Sequence, residues 1–246
     1  MEALEIDNVD INFGGLQALS ELTLSLKVGE KRAIIGPNGA GKTTLFNVIS
    51  GMLKPTNGHV FLFGRDITNC PPHLRAALGL ARTFQITNLF GSLSVLENIV
   101  LGIQGLLKTK YVFYRRTSTF KELIDHAGSL LHEWGLSEKR DSPVRNLSHG
   151  EQRQLEIVLA LASQPKVLLL DEPTQGLSVA ETTLVVSMME RLDQSTTVLF
   201  IEHDMDVAFQ MANTISVLHY GQILAEGDES AIRSNPKVAE VYLGMT

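Results

Sequence analysis

The first thirty residues alternate apolar and polar side chains with the period of β-strands. Leu4, Ile6, Val9 and Ile11 form one series, and Leu22, Leu24 and Leu26 fall on every second position. Gly14-Gly15 and Gly29-Glu30 break these runs and predict turns. Lys31 to Gly36 is a short apolar strand ending in glycine, and a helical pattern runs from Lys42 to Ser50 and stops at Gly51. The unit is strand, glycine loop, helix. Beyond the turn signal Lys54-Pro55-Thr56-Asn57-Gly58, His59 to Phe63 reads as a strand, and Leu80 to Phe84 leads in extended form into Gln85.

The period changes at Ser94. Ser94 with Glu97 is a capping-box pattern, its apolar face continues through Leu101, and Phe120 to Trp134 is again helical, with no strand pattern from Gln104 to Asp141. This predicts a helical subdomain over 94–147, inserted into a core made of 1–93 and 148–246. The core resumes with a helix over Glu151 to Ala162 and an apolar strand, Val167 to Leu170, that ends at Asp171-Glu172. A helix capped by Ser178 with Glu181 follows, then a strand, Thr197 to Ile201, ending at Glu202-His203-Asp204. Strands Thr214 to Leu218 and Gln222 to Glu226 flank Gly221, and short helices finish the chain. Apolar strands alternating with helices imply an α/β fold with a mainly parallel sheet covered on both faces, beside an antiparallel N-terminal β subdomain.

Composition narrows the function classes. At 246 residues, 44% hydrophobic and 20% charged, the chain is an ordinary globular one, and disordered or collagen-like classes are excluded. A net charge of -6 argues against a protein that wraps nucleic acid, so no nucleic-acid partner is expected. Cys70 stands alone, which rules out an intrachain disulfide and suits a reducing compartment. Met1 to Asn12 carries four acids and no lysine or arginine, unlike a signal peptide. No uncharged apolar run approaches the roughly 18 residues of a membrane span, so any work at a membrane needs another chain to cross it.

The chemistry is concentrated in Gly36-Pro37-Asn38-Gly39-Ala40-Gly41-Lys42-Thr43, a full match to G-x-x-x-x-G-K-[ST] between a strand and a helix. Its glycines let backbone N–H groups of Asn38, Gly39, Ala40, Gly41 and the following Thr44 region turn toward phosphate oxygens. Lys42 supplies a point charge, and the Thr43 hydroxyl is a ligand for Mg²⁺. The glycine spacing excludes a dinucleotide fingerprint. An acid at a neighbouring strand end should hold Mg²⁺ through water, and Asp171 is so placed. Glu172, pointing the other way, can position and deprotonate a water beside the γ-phosphate. An isolated Asp-Glu pair would also suit a solvated strand terminus.

Leu147-Ser148-His149-Gly150-Glu151-Gln152, before a helix and about twenty residues ahead of Asp171, resembles the signature of ATP-binding cassette (ABC) ATPases. Gln85 after Thr83-Phe84 resembles their Q-loop, His203 their switch histidine, and Phe13 before Gly14-Gly15 their aromatic A-loop. The resemblance spans essentially the whole chain. It implies ATP and Mg²⁺ as cofactors, with Phe13 stacking on adenine, Thr43, Gln85 and Asp171 organising the metal, and Lys42, Glu172 and His203 acting in catalysis. Phe13 beside a turn would equally suit core packing. Ser148 and Gly150, at a helix N-terminus, would face a nucleotide held by the opposite subunit, so the working form is a homodimer or a heterodimer with a related ATPase. Two positions depart from the family pattern: His149 replaces a glycine, and Ser178 replaces an aspartate whose place as helix N-cap it can fill.

Shorter strings point within the family. Phe13 to Leu19, Ala81-Arg82-Thr83-Phe84-Gln85, Leu155-Glu156-Ile157, Ile201 to Met205 and the ending Asn235-Pro236 through Tyr242-Leu243-Gly244 are similar to the larger ATPase of branched-chain amino-acid importers. Urea importers and lipopolysaccharide exporters share this vocabulary. The implied role is a cytoplasmic, peripheral ATPase on the inner membrane face, bound to transmembrane permease subunits and served indirectly by a solute-binding protein. A soluble ABC protein without a permease is the rival reading. Lys108, Lys110, Arg115, Arg116 and Lys121, with Tyr111, Phe113 and Tyr114, form a basic and aromatic stretch without acids over 106–121, suited to a solvated loop or to lipid headgroups and the permease.

Overall fold

A computed structural model describes residues 1–83, 89–106 and 117–243. Ten strands form two sheets. The first is antiparallel, in the order β2 (Leu16–Lys27), β1 (Glu2–Phe13), β4 (Asn57–Leu62), β5 (Arg65–Asp66). The second runs β10 (Gln222–Gly227), β9 (Thr214–His219), β3 (Lys31–Ile35), β8 (Thr197–Ile201), β7 (Val167–Asp171), β6 (Leu80–Arg82). Every pairing from β9 to β6 is parallel, and only β10 joins antiparallel, through the hairpin at Gly221.

Alternation along the parallel strands divides the interior in two. Ala33 and Ile35 of β3, Leu168 and Leu170 of β7, and Val198 and Phe200 of β8 face one apolar cluster. Ile34, Leu169, Leu199 and Ile201 face the other. The second cluster joins the parallel sheet to helix α1 (Lys42–Ser50) and to the antiparallel sheet. The first collects α3 (Val95–Leu106), α4 (Thr117–Glu133), α5 (His149–Leu161), α6 (Val179–Arg191), α7 (Met205–Met211), α8 (Glu229–Arg233) and α9 (Pro236–Leu243). Because β3, β7 and β8 are sandwiched, they read as apolar runs and not as alternating ones.

Local signals account for most boundaries. Ser94 caps α3 with Glu97 in the reciprocal manner expected: the Ser94 N–H donates to Glu97 Oε2 at 2.7 Å and the Glu97 N–H to Ser94 Oγ at 3.2 Å. Ser94 also bridges to Pro143, pinning together the two ends of the helical excursion. Helix α5 starts at His149, two residues before the pattern predicts, because Ser148 and Glu151 form a capping box that outweighs the weak helical preference of Gly150. Helix α2 (Pro72–Ala77) was not predicted; its six residues are too few to display a period. Its Arg75 is 1% exposed and is surrounded by carbonyls. The guanidinium donates to Val48 and Ile49 at 2.7 Å, Cys70 at 2.8 Å and Thr68 at 3.1 Å, closing the C-terminal end of α1. Burial lowers the Arg75 pKa.

Replacing Arg75 by methionine would leave these carbonyls buried without donors. The expected loss is about 3 kcal/mol of unfolding free energy, read from urea denaturation; a loss below about 1 kcal/mol would deny Arg75 this capping role.

Candidate nucleotide site

The glycine loop leaves β3 at Ile35 and enters α1 at Lys42. Gly41 is the N-cap, with φ at 105°, and a Cβ there would lie 2.6 Å from the Ala18 carbonyl oxygen, so the loop can pass β2 only as glycine. No acid occupies the first turn of α1, which leaves that end of the helix dipole uncompensated by the chain itself. Asn38, Gly39 and Thr43 are exposed, Thr44 is half-buried, and Ala40 is buried with its N–H bonded to the Pro37 carbonyl at 3.2 Å. Lys42 Nζ donates to the carbonyls of Gly36 at 2.6 Å and Pro37 at 3.0 Å. Burial holds the Lys42 pKa below its usual value, against the opposing pull of Glu172 and Asp171. A cavity of about 700 Å³ opens beside the loop, bounded by Pro37 to Ala40, the His219-Tyr220 turn and α9.

Two strands away in the sheet, β7 delivers the acids. Asp171 is 1% exposed; its Oδ2 accepts from Arg82 at 2.9 Å. Arg82 also donates to Asn47 Oδ1 and Ser50 Oγ, both at 2.8 Å, and so ties β6 to α1 and to the acid. Glu172 follows in the left-handed region, with φ at 49°, a strained conformation of the kind that collects at functional sites. That turn sends its side chain away from Asp171 and toward β8, where Glu172 Oε1 lies 2.8 Å from His203 Nε2. Asp171 Oδ1 and Glu172 Oε2 are both buried and have no hydrogen-bond partner among the described residues. Free carboxylate oxygens of this kind suit a hydrated cation and a water molecule. Among the described residues no cluster of three or more His, Cys, Asp or Glu surrounds a metal position, so a cation here would need other ligands, such as the Thr43 hydroxyl, bound phosphate and water.

The backbone carrying these acids is clamped from α5. Arg153 donates to the carbonyls of Asp171 at 2.8 Å and Pro173 at 3.1 Å and to that of Glu172, while pairing with Glu156 at 2.9 Å. Burial raises the Glu156 pKa, with Arg153 opposing. Glu202, next to His203, accepts from the Thr174 N–H at 3.1 Å and hydroxyl at 2.8 Å, and burial raises its pKa too. Neither Arg82 nor Arg153 was picked out from the sequence. Arg82 lies in the quoted Ala81 to Gln85 string, and Arg153 sits one turn into the helix after the signature. Their partners are remote in sequence.

The structure brings Lys42, Asp171, Glu172 and His203 to one edge of the parallel sheet. Phe13 stands 49% exposed at the end of β1. Ser148 and Gly150 are at the N-terminus of α5, where the Ser148 hydroxyl and the Gly150 N–H both donate to Glu181 of α6 while Ser148 also forms the capping box with Glu151. Ser178 is the N-cap of α6, as its sequence context suggests. Gln85 lies outside the described residues, as do Lys108, Lys110, Tyr111, Phe113, Tyr114, Arg115 and Arg116; Lys121 is exposed on α4.

Residues 19–175 match the profile of the ABC transporter family, and the chain is 38% identical, across 98% of its own length and 97% of the relative's, to the high-affinity branched-chain amino acid transport ATP-binding protein LivG of Salmonella typhimurium. The chain belongs to the ABC transporter family. The cassette also superimposes on the ADP conformation of MJ1267, an ATP-binding cassette of an ABC transporter, with a TM-score of 0.87, 33% identity and 99% of both chains covered. The dimeric structure of MJ0796, a bacterial ABC transporter cassette, matches at a TM-score of 0.78 and 27% identity over 92% of this cassette and 98% of that one.

Arg82→Met would strand Asp171 as a buried carboxylate. The expected cost is about 3 kcal/mol, or roughly 6–12 °C in melting temperature, with Arg82→Lys retaining most of the stability. Equal melting temperatures for wild type and Arg82→Met would refute the pairing.

Proposed function

We propose that this chain is the ATP-hydrolysing subunit of a membrane transporter that takes up small polar solutes, with branched-chain amino acids as the class its likeness to LivG supports. The observation that carries the catalytic part is the convergence of Lys42, the free Asp171 Oδ1 and the His203-paired Glu172 at one sheet edge.

In this reading the loop amides of Asn38 to Thr44 and Lys42 Nζ bind the phosphates, and Phe13 stacks on adenine. Binding moves Nζ from the Gly36 and Pro37 carbonyls to phosphate oxygens. Thr43, Asp171 Oδ1 through water, and Gln85 would hold Mg²⁺, which would supply positive charge to neutralise the phosphates. A water attacks the γ-phosphorus; the bond to the bridging oxygen breaks, and Glu172 Oε2 takes the proton. His203, bonded to Glu172 Oε1, holds that carboxylate in line and presents its ring to the γ-phosphate. Arg153 and Arg82 do not touch substrate; they fix the backbone and carboxylate of the acids. Ser148 and Gly150 serve the nucleotide of a second cassette, so two chains sandwich two ATP molecules, and the core of 1–93 and 148–246 moves with its helical subdomain, 94–147, as closure proceeds.

No helix among the described residues is long and apolar enough to cross a membrane; in this reading permease chains carry the span and the cassette sits on their cytoplasmic face. A cleft of about 260 Å³ supports where they dock. Met52, Pro72, Ala76, Gly102 of α3, and Leu159 and Ala160 of α5 line it, and Met52 is 56% exposed. Arg82 lies in the same cleft, so a segment seated there would press on the group that holds Asp171.

Glu172→Gln should keep ATP binding, lower steady-state hydrolysis at least about a hundredfold and accumulate ATP-bound dimers. Wild-type turnover in that variant, measured by phosphate release, would remove Glu172 from the proton-accepting role. Met52→Glu should abolish co-purification with the permease subunits from gently solubilised membranes while the isolated cassette still binds ATP. Intact complexes in that variant would move the docking surface elsewhere.

A further inference from the structure

The two positions at which the chain departs from its family's pattern, His149 and Ser178, lie at the starts of α5 and α6, and one residue, Glu181, joins those two helix ends. Glu181, in the first turn of α6, accepts from the Ser178 N–H at 2.9 Å and the Ser178 hydroxyl at 2.8 Å through Oε2. Its other oxygen, Oε1, crosses to α5, accepting from the Gly150 N–H at 3.1 Å and the Ser148 hydroxyl at 3.3 Å. A Cβ on Gly150 would fall 2.3 Å from that oxygen, so the carboxylate approaches only because the residue is glycine. The His149 ring lies over the same loop: a Cβ on Gly176 would be 3.6 Å from its Cε1.

A capping box explains only half of this. In that motif the carboxylate at the third helical position bonds its own N-cap amide, and Oε2 does so here. Oε1 is given over to the donors of a different helix. Those are the donors that the two-chain reading assigns to the partner's nucleotide, and a Gly150 N–H already bonded to a carboxylate cannot also bond a phosphate at full strength. We propose that Glu181 is an intramolecular stand-in for the γ-phosphate: it fills the signature donors in the open chain and has to vacate them when the ATP of a second chain docks, so it sets the ATP concentration at which two chains close.

The bonding supports such an exchange. Hydrogen bonds, first those from Ser178 and then those from Gly150 and Ser148, hold the Glu181 carboxyl below the ordinary range, so it is an anion at neutral pH. The two contacts to be surrendered are the longer pair, and the two from Ser178 can remain as the carboxylate swings. Glu151, in the first turn of α5, is paired to Lys139 at 2.9 Å and lies close enough to Glu181 for the two charges to repel, which weakens the contact of Glu181 with these donors. After hydrolysis and phosphate loss, return of Glu181 satisfies the donors again and opposes reclosure. Glu181 is therefore a positioning residue that determines nucleotide affinity in trans.

This proposal rests on the two-chain reading, and the test separates them. In the Glu172→Gln cassette, ATP-dependent dimerisation is followed by light scattering with and without Glu181→Gln, which retains a capping acceptor and removes the charge. The midpoint ATP concentration should fall about tenfold in the double variant. Binding of a fluorescent ATP analogue to dilute monomer, and the nucleotide-free melting temperature, should not change. Glu181→Ala should lower the midpoint similarly while also lowering the melting temperature through loss of the cap. Unchanged midpoints with dimers present overturn the role of Glu181 alone, as does an equal gain in monomer nucleotide affinity. Absence of ATP-dependent dimers in the Glu172→Gln parent overturns the two-chain reading and this proposal with it.

Discussion

Strands β3, β7 and β8 are covered on both faces, and every residue of β7 and β8 is buried. A parallel sheet so enclosed can display polar chemistry only where its strands end, and parallel pairing puts all those ends on one edge. The register does the rest. Asp171 pairs with Ile201 across β7 and β8, so Glu172 and His203 follow from adjacent strand ends, and the glycine loop follows β3 on the other side of β8. Lys42, the adjacent pair of acids and the histidine therefore converge from three stretches that are remote from one another in sequence.

Holding anionic groups at such an edge is costly unless they are paired, and the chain does this with two buried arginines in different ways. Arg82 neutralises one oxygen of Asp171 and leaves the other free. Arg153 leaves the carboxylates alone and grips the carbonyls behind them, which stabilises the left-handed turn at Glu172 against relaxing to an unstrained conformation. Asp171 Oδ1 and Glu172 Oε2 stay unsaturated because the supporting groups bind elsewhere. Each arginine also leads to a further element, Arg82 to the cleft lined by Met52 and Leu159 and Arg153 to the helix that starts at the signature. Chemistry at the edge is thereby in mechanical contact with both surfaces at which other chains are proposed to bind.

Much of this was readable in advance because it is local. The phosphate loop, the strand ending at Asp171-Glu172 and the caps at Ser94 and Ser178 depend on residues within a few positions of one another, and periodicity identified β3, α1, β7 and β8 almost to the residue. The short helix α2 was missed for want of a period, and the true start of α5 was hidden by a glycine that only the Ser148-Glu151 box overrides.

What the sequence by itself determined is the order of elements, the fold class and the candidates proposed to bind phosphate and carry protons, since each follows from backbone sterics, hydrophobic period or intrinsic side-chain chemistry. Tertiary structure alone decided which groups support and restrain them. Arg82 reaches Asp171, Arg153 reaches the carbonyls beyond it, and Glu181 reaches Gly150 across separations of 89, 18 and 31 residues. Those pairings depend on how the two sheets and the helices around them pack, and a long polar side chain carries no period or motif that says which distant carbonyl or amide it will meet.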